Sequence, residues 1–402
     1  MRNNRMNVAA ASLILISAAG TAWADDAPAA PAKPALPSIA DLLTGSGLTA
    51  TGEVSATFDH QGFSGSNANY PQQDSYSTFA LQQAALTVGY QPAAGFGALV
   101  TLLAGQNIYT PNYAVSTAYA GGKYGLTSTQ VQLAQAYAQW IGGPLTVIAG
   151  KYTTLVGAEG LLASGDTNVT RSLLYSFEPV THTGVRLTYA ADSTLNLILG
   201  VNNGFVYSDE TSARTDKTLE AGVAWTPNKI FSWTLGGYYG RDTNALGIPA
   251  TQYIVDTVAT WTATSALTVI ASADFGQADQ AYDVKGGSAS WYGVAAYLNY
   301  AINDTWRVSF RGEYYDDKDG YLTLYNQNYA ALGYNYDGGT TASIKSPVGQ
   351  NLYEGTITFG YDPTKNIEIR LEGRYDNYQG TSTFKVPSVD VYQGWLEANY
   401  HF

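Results

Sequence analysis

Cysteine is absent from all 402 residues, so no disulfide can staple this fold and no thiolate metal cluster can form. Histidine is scarce: His60, expected in the first long loop, His182 and His401 are the whole complement, and no His-x-x-x-His or Glu-x-x-His spacing marks a metal site. A phosphate-binding glycine loop is missing too, since Gly150-Lys151 is followed by Tyr152 rather than Ser or Thr. Charged residues make up only 13% of the chain, against about 25% in ordinary soluble domains. The net charge is −12, the wrong sign for nucleic acid, which needs clustered Lys and Arg. Long hydrophobic runs are lacking as well. Beyond the N-terminus the longest is about Ala98–Ala104, well short of the roughly 18 apolar residues of a membrane helix. Low charge without long apolar runs leaves a large soluble all-β protein, or a membrane barrel whose oily face is diluted by alternation.

What is abundant is glycine (42), tyrosine (32) and tryptophan (8). Residues 1–24 read as a secretory signal: Arg2 and Arg5, an apolar stretch from Val8 to Ala19, and Ala22-Trp23-Ala24 as the cleavage site. Export through the periplasm is therefore expected. A Pro/Ala-rich linker with a short helix should occupy 25–47, before a barrel domain over 48–402.

From residue 48 the pattern has period two. In Ile367-Glu368-Ile369-Arg370-Leu371-Glu372-Gly373-Arg374-Tyr375 the odd positions are apolar or Gly and the even ones charged. Side chains alternate across a strand, so such a segment has one oily face and one wet face. Seven times an aromatic ends a strand, a few turn residues follow and an apolar strand resumes, at Tyr90, Trp140, Tyr189, Trp225, Trp261, Tyr300 and Tyr361. Aromatics at hairpin bases suit a headgroup girdle, and the longer polar connections between hairpins suit extracellular loops. Seven hairpins, one strand before the first long loop and one after the last give sixteen, within a range of fourteen to eighteen. A soluble sandwich also alternates, but its second face should be rich in Lys and Glu.

The last segment, Tyr392 to Phe402, resembles the terminal strand of bacterial outer-membrane proteins, whose C-terminal Phe is a tag for the barrel-assembly machinery. Gly150-Lys151-Tyr152, Gly157-Ala158-Glu159-Gly160, Asn168-Val169-Thr170-Arg171-Ser172 and Pro179-Val180-Thr181-His182-Thr183-Gly184-Val185-Arg186 are similar to the OmpL-like β-barrel porin family of Gram-negative bacteria. The resemblance implies a multi-pass barrel in the cell outer membrane, amid lipid and lipopolysaccharide. It also implies passage of small hydrophilic solutes, and a homotrimer by likeness to general porins.

If Tyr400 and Phe402 face lipid, parity turns Glu397 and Asn399 inward, with Arg307, Ser309, Arg311, Glu313, Glu354, Thr356, Thr358, Glu368, Arg370, Glu372, Arg374 and Asp376. Glu53, Arg186, Glu220, Asp256 and Asp274 join them. An Arg or Lys on the lipid side would cost about 2–4 kcal/mol near the midplane. A pore lined by Arg186, Arg307, Arg311, Glu313, Glu368, Arg370, Glu372 and Arg374 is expected to be hydrated, its opposed charges setting ion preference. Net acidity favours cations, and the arginines oppose that. The third long loop, 154–180, carries Leu161, Leu162, Leu173 and Leu174, too apolar for a loop in water. It is expected to fold inward as a constriction, its leucines on the wall and its Glu159, Asp166, Arg171 and Glu178 facing the arginines. No catalytic residue, metal or cofactor is expected. The alternatives are a barrel acting in adhesion through its loops, and a barrel hydrolase with a His beside Ser or Asp at the outer rim.

Overall fold

The computed structural model describes residues 46–64, 76–105, 130–204, 217–243, 249–279, 287–319, 349–380 and 389–402. The expected signal and nearly all of the linker lie outside the described residues. Sixteen strands close into one antiparallel barrel. The first is β1 (Thr49–Ser64) and the last β16 (Val389–His401). Between them run seven hairpins. The first four are β2 (Tyr76–Tyr90) with β3 (Gly95–Gly105), β4 (Gln130–Gly142) with β5 (Leu145–Thr153), β6 (Thr181–Ala190) with β7 (Leu195–Asn202), and β8 (Thr218–Asn228) with β9 (Phe231–Thr243). The other three are β10 (Pro249–Thr262) with β11 (Leu267–Ala278), β12 (Ala289–Ala301) with β13 (Trp306–Asp317), and β14 (Gln350–Thr364) with β15 (Ile367–Gly380). All seven turns fall after the aromatics that announced them.

Local chemistry sets these turns. Asp192 Oδ1 accepts the N–H groups of Thr194 and Leu195, and Asn303 Oδ1 accepts those of Thr305 and Trp306. Such side-chain turns pre-form the reversal that a two-stranded ladder needs. The β1–β16 ladder closes the barrel, and the last residue extends it. The N–H of Phe402 donates to the Gly52 carbonyl at 2.9 Å, and the N–H of Gly52 returns a bond to Phe402 at 3.1 Å. No side chain fits at Gly52, where a Cβ would lie 2.6 Å from the Phe402 ring.

Alternation sorts the faces. On β15 Ile367, Ile369 and Leu371 are exposed outward, while Glu368, Arg370 and Glu372 are buried inside. Of the hairpin-base aromatics, Tyr90, Trp140, Tyr189, Trp225, Trp261 and Tyr300 are exposed on the outer face. A second aromatic band, which the hairpin pattern did not reveal, lies toward the long loops. Register brings Tyr314 opposite Tyr353 and Tyr375 opposite Tyr392, each pair with ring centroids 5.1 Å apart. Two such bands are the girdles of a membrane barrel. One placement differs from expectation: β1 runs to Ser64, so His60 belongs to that strand rather than to a loop, with its Nδ1 2.8 Å from Ser77 Oγ.

Candidate functional site

The loop between β5 and β6 turns into the barrel. Thr154 N–H donates to the Val180 carbonyl at 3.0 Å and closes its neck. It contains a single 3-10 turn, Ala163–Gly165, and one short helix, α1 (Leu173–Phe177), capped by Ser172 Oγ accepting from Tyr175 N–H. The outgoing limb passes β8 and β9, where a Cβ on Gly236 would lie 3.1 Å from Leu155 and the Tyr238 hydroxyl accepts the Leu155 N–H. Leu161 and Leu162 then pack on Ala85, Leu103 and Ala134. Farther along, Leu173 and Leu174 are buried in a cluster with Tyr297, Tyr315 and Leu352. Phe177 stacks on Tyr315 with centroids 4.5 Å apart. The segment thus crosses the lumen, gripping opposite walls through its leucines.

Polar anchoring is done by the loop backbone. Three wall carboxylates each take two successive N–H groups: Glu53 those of Ala163 and Ser164, Glu372 those of Val169 and Thr170, Glu313 those of Leu173 and Leu174. Arginines take the carbonyls. Arg370 donates to Ala163, Asp166 and Asn168, Arg311 to Thr170 and Arg171, Arg374 to Arg171, and Arg307 to Thr167. Bonds between a charged group and the backbone are stronger than neutral ones, at about 1.5–3 kcal/mol each. Four further wall acids meet arginine directly: Glu397 at Arg370, Glu368 at Arg307, Asp376 at Arg374 at 2.7 Å, and Glu354 at Arg311 at 3.2 Å.

The loop covers much of the charged wall that was expected to be hydrated. The side chains of Arg311 and Arg370 are fully buried, with Arg374, Glu313, Glu368 and Glu372 nearly so and Arg307 partly exposed, because the loop lies over them. Of the four charged side chains of the loop, Glu159 is the one that meets the ladder, 2.9 Å from Arg311, and it also accepts the Ser172 N–H. Asp166 and Arg171 pair with each other instead, and Arg171 lies 4.8 Å from the Tyr175 ring centre. Arg186 stands apart from the ladder, bonded to Glu220 at 2.8 Å and placed over the Tyr152 ring at 4.3 Å. His182 is buried and stacked on Tyr238 at 4.2 Å.

Sequence reasoning did not single out the strip on β2–β4. There Gln91 bonds Tyr137 and Gln139, Thr87 meets Thr101 at 3.0 Å, and Gln135 donates to Thr101. Thr87, Gln135 and Tyr137 remain partly exposed inside the barrel. The spaced glutamines Gln132, Gln135 and Gln139 were a signal for it, but they carry no charge to draw notice. Between the loop's two limbs lies a cavity of about 270 Å³ lined by Thr153, Gly157, Glu159, Tyr175 and Glu178, among others. Burial and the neighbouring Asp256 carboxylate hold Glu178 well above the usual carboxylate range.

A family model described as "Putative beta-barrel porin-2, OmpL-like" matches residues 47–402. Among solved structures, the chain is similar to the outer membrane channel DcaP of Acinetobacter baumannii, with TM-score 0.57 and 14% identity over 88% of this chain and 97% of that one. It is also similar to an anion-selective porin from Comamonas acidovorans, with TM-score 0.59 and 11% identity over 88% and 99%. A third is OmpT of Vibrio cholerae in its trimer form, with TM-score 0.53 and 11% identity over 88% and 99%. At these identities the likeness shows the fold. No curated protein matches the chain by sequence.

Proposed function

Because the chain belongs to the OmpL-like β-barrel porin-2 family, we propose that it passes small polar or charged solutes across the outer membrane by passive diffusion. The observation that carries this reading is the inward loop, stapled across the lumen by the backbone N–H pairs and carbonyls already described. A fixed partition inside a barrel narrows a passage without any moving part, and lumen-lining groups then set what goes through.

In this reading the ladder from Arg307 to Arg374 acts first as a clamp for the loop. The uncharged strip of Thr87, Gln135 and Tyr137 then supplies the polar surface that a solute meets. Glu159 contributes charge at the constriction, while Asp166 and Arg171 stiffen the loop through their own pair. Diffusion through such a passage needs no cofactor and no turnover. A homotrimer, contact with lipopolysaccharide and delivery by the assembly machinery through Phe402 complete the proposal, and the trimer form of the Vibrio cholerae relative supports its oligomeric part.

Swelling of liposomes that contain the refolded protein tests the reading. Sugars and small charged solutes of graded size should enter at rates that fall steeply with size. Folded protein that admits none of them would reject passive diffusion and favour adhesion through the outer loops.

A further inference from the structure

Seven wall carboxylates under the loop meet an arginine or a pair of backbone N–H groups, but one cluster of acids does not. Glu178 follows α1 on the returning limb of the loop, and Asp256 and Asp274 are directly paired across β10 and β11. All three are at least 95% buried, and one oxygen from each lies within 4.8 Å of the others. Among the described residues no arginine or lysine pairs with any of them. Asp256 accepts the Gly157 N–H at 3.1 Å and, at 3.5 Å, the Ser272 hydroxyl. Glu178 Oε1 and Asp274 Oδ1 have no hydrogen-bond partner among the described residues.

A second observation points the same way. The Tyr315 hydroxyl is also without a partner among the described residues, on a side chain 1% exposed whose ring stacks on Phe177, the residue before Glu178. Gly157 (φ +92°) provides the cradle, since a Cβ there would fall 2.0 Å from Glu178 Oε2. The cavity of about 270 Å³ between the loop limbs reaches Glu178 and gives an ion with its water a way in.

We propose that Glu178, Asp256 and Asp274 bind a divalent cation, Ca²⁺ by its chemistry, which ties the returning limb of the loop to the β10–β11 wall. The donors are all hard oxygens, with no imidazole or thiolate to favour a transition metal. Ca²⁺ accepts irregular oxygen shells completed by water and carbonyls, whereas Mg²⁺ demands a near-ideal octahedron and sheds water reluctantly. The site departs from the expectation of no metal, which rested on His and Cys spacing. These ligands stand at positions 178, 256 and 274, and only the folded-in loop joins them. The seam they close lies beyond the reach of the arginine ladder.

The test uses the full chain refolded in detergent, with Tb³⁺ and Ca²⁺ as probes. The nearby Tyr315 ring should sensitise Tb³⁺ luminescence, and Ca²⁺ should quench it by displacement. Asp274→Asn and, separately, Glu178→Gln should each weaken binding roughly tenfold or more, since affinity follows the count of charged ligands. Asp192→Asn, in an exposed turn, should change nothing. Heat-modifiable mobility on gels reports that each barrel is folded, and Glu178→Gln lies outside the strands should Asp274→Asn fail to fold. Absence of Ca²⁺-displaceable luminescence, or equal affinity in wild type and both variants, would overturn the proposal. So would a protonated-carboxyl infrared band that persists in saturating Ca²⁺ and disappears in Asp274→Asn. None of these readings depends on channel activity, so their failure would leave the porin reading intact.

Discussion

Glu372→Gln isolates the loop clamp with a change of one atom per carboxyl group. Glu372 is 2% exposed and accepts the N–H groups of Val169 at 2.6 Å and Thr170 at 2.9 Å, as well as the Thr358 hydroxyl at 2.7 Å. A glutamine keeps one carbonyl oxygen but turns an NH₂ toward one of these donors. Two charge-assisted bonds are lost, and one buried N–H is left unsatisfied. With about 1.5–3 kcal/mol per charged bond and about 1 for the neutral one retained, the local docking energy should fall by about 2–5 kcal/mol. That corresponds to a rise of about thirtyfold to a few thousandfold in the fraction of time that 167–171 is undocked. Hydrogen exchange is the direct assay, because an amide exchanges when its local structure opens. Val169 and Thr170 should exchange faster by that factor. Leu173 and Leu174, held by Glu313, should be nearly unchanged, as should the strands. Equal protection of Val169 and Thr170 in wild type and variant would show that these bonds do not hold the loop.

Arg370→Ala should release the same region more broadly, since it strands Glu397 and the carbonyls of Ala163, Asp166 and Asn168; about 3–5 kcal/mol of destabilisation is expected. In planar bilayers this variant should show noisier open-channel current with little change in reversal potential, whereas a clean shift in selectivity alone would mean that Arg370 faces the passage. Gly157→Ala should loosen residues 154–160 to hydrogen exchange without lowering barrel melting, because its positive φ and the Glu178 carboxylate exclude a Cβ. Gly52→Val should damage the closing seam, crowding the Phe402 ring by about 1–3 kcal/mol, and lower the temperature at which gel mobility shifts.

The barrel was legible because bilayer and lumen impose opposite chemistry on neighbouring residues. Ile367 to Tyr375 shows this most plainly, and it placed Glu368, Arg370, Glu372 and Arg374 inside before any fold was known. Hairpin bases were equally readable, since an aromatic followed by Asn, Asp, Pro or Gly names both depth and turn. Leu161, Leu162, Leu173 and Leu174 announced that the third loop seeks apolar cover. What stayed hidden was how the charges are spent. Arg370 reads as a pore group in one dimension, but it bonds loop carbonyls some two hundred residues away. Backbone donors carry no letter in a sequence, so Glu53, Glu313 and Glu372 looked free when each was to be met by two N–H groups. For the same reason Asp256 and Asp274 looked like two more wall acids, and Glu178 like one loop charge. His60 was misplaced because β1 continues past the point where its alternation weakens.

Single-channel recording in planar bilayers under a KCl gradient addresses the central claim most directly. The account predicts discrete, stable conductance steps from the refolded wild type and steps with increased open-state noise from Glu372→Gln. A barrel that is folded by its heat-modifiable mobility and yet electrically silent would contradict it.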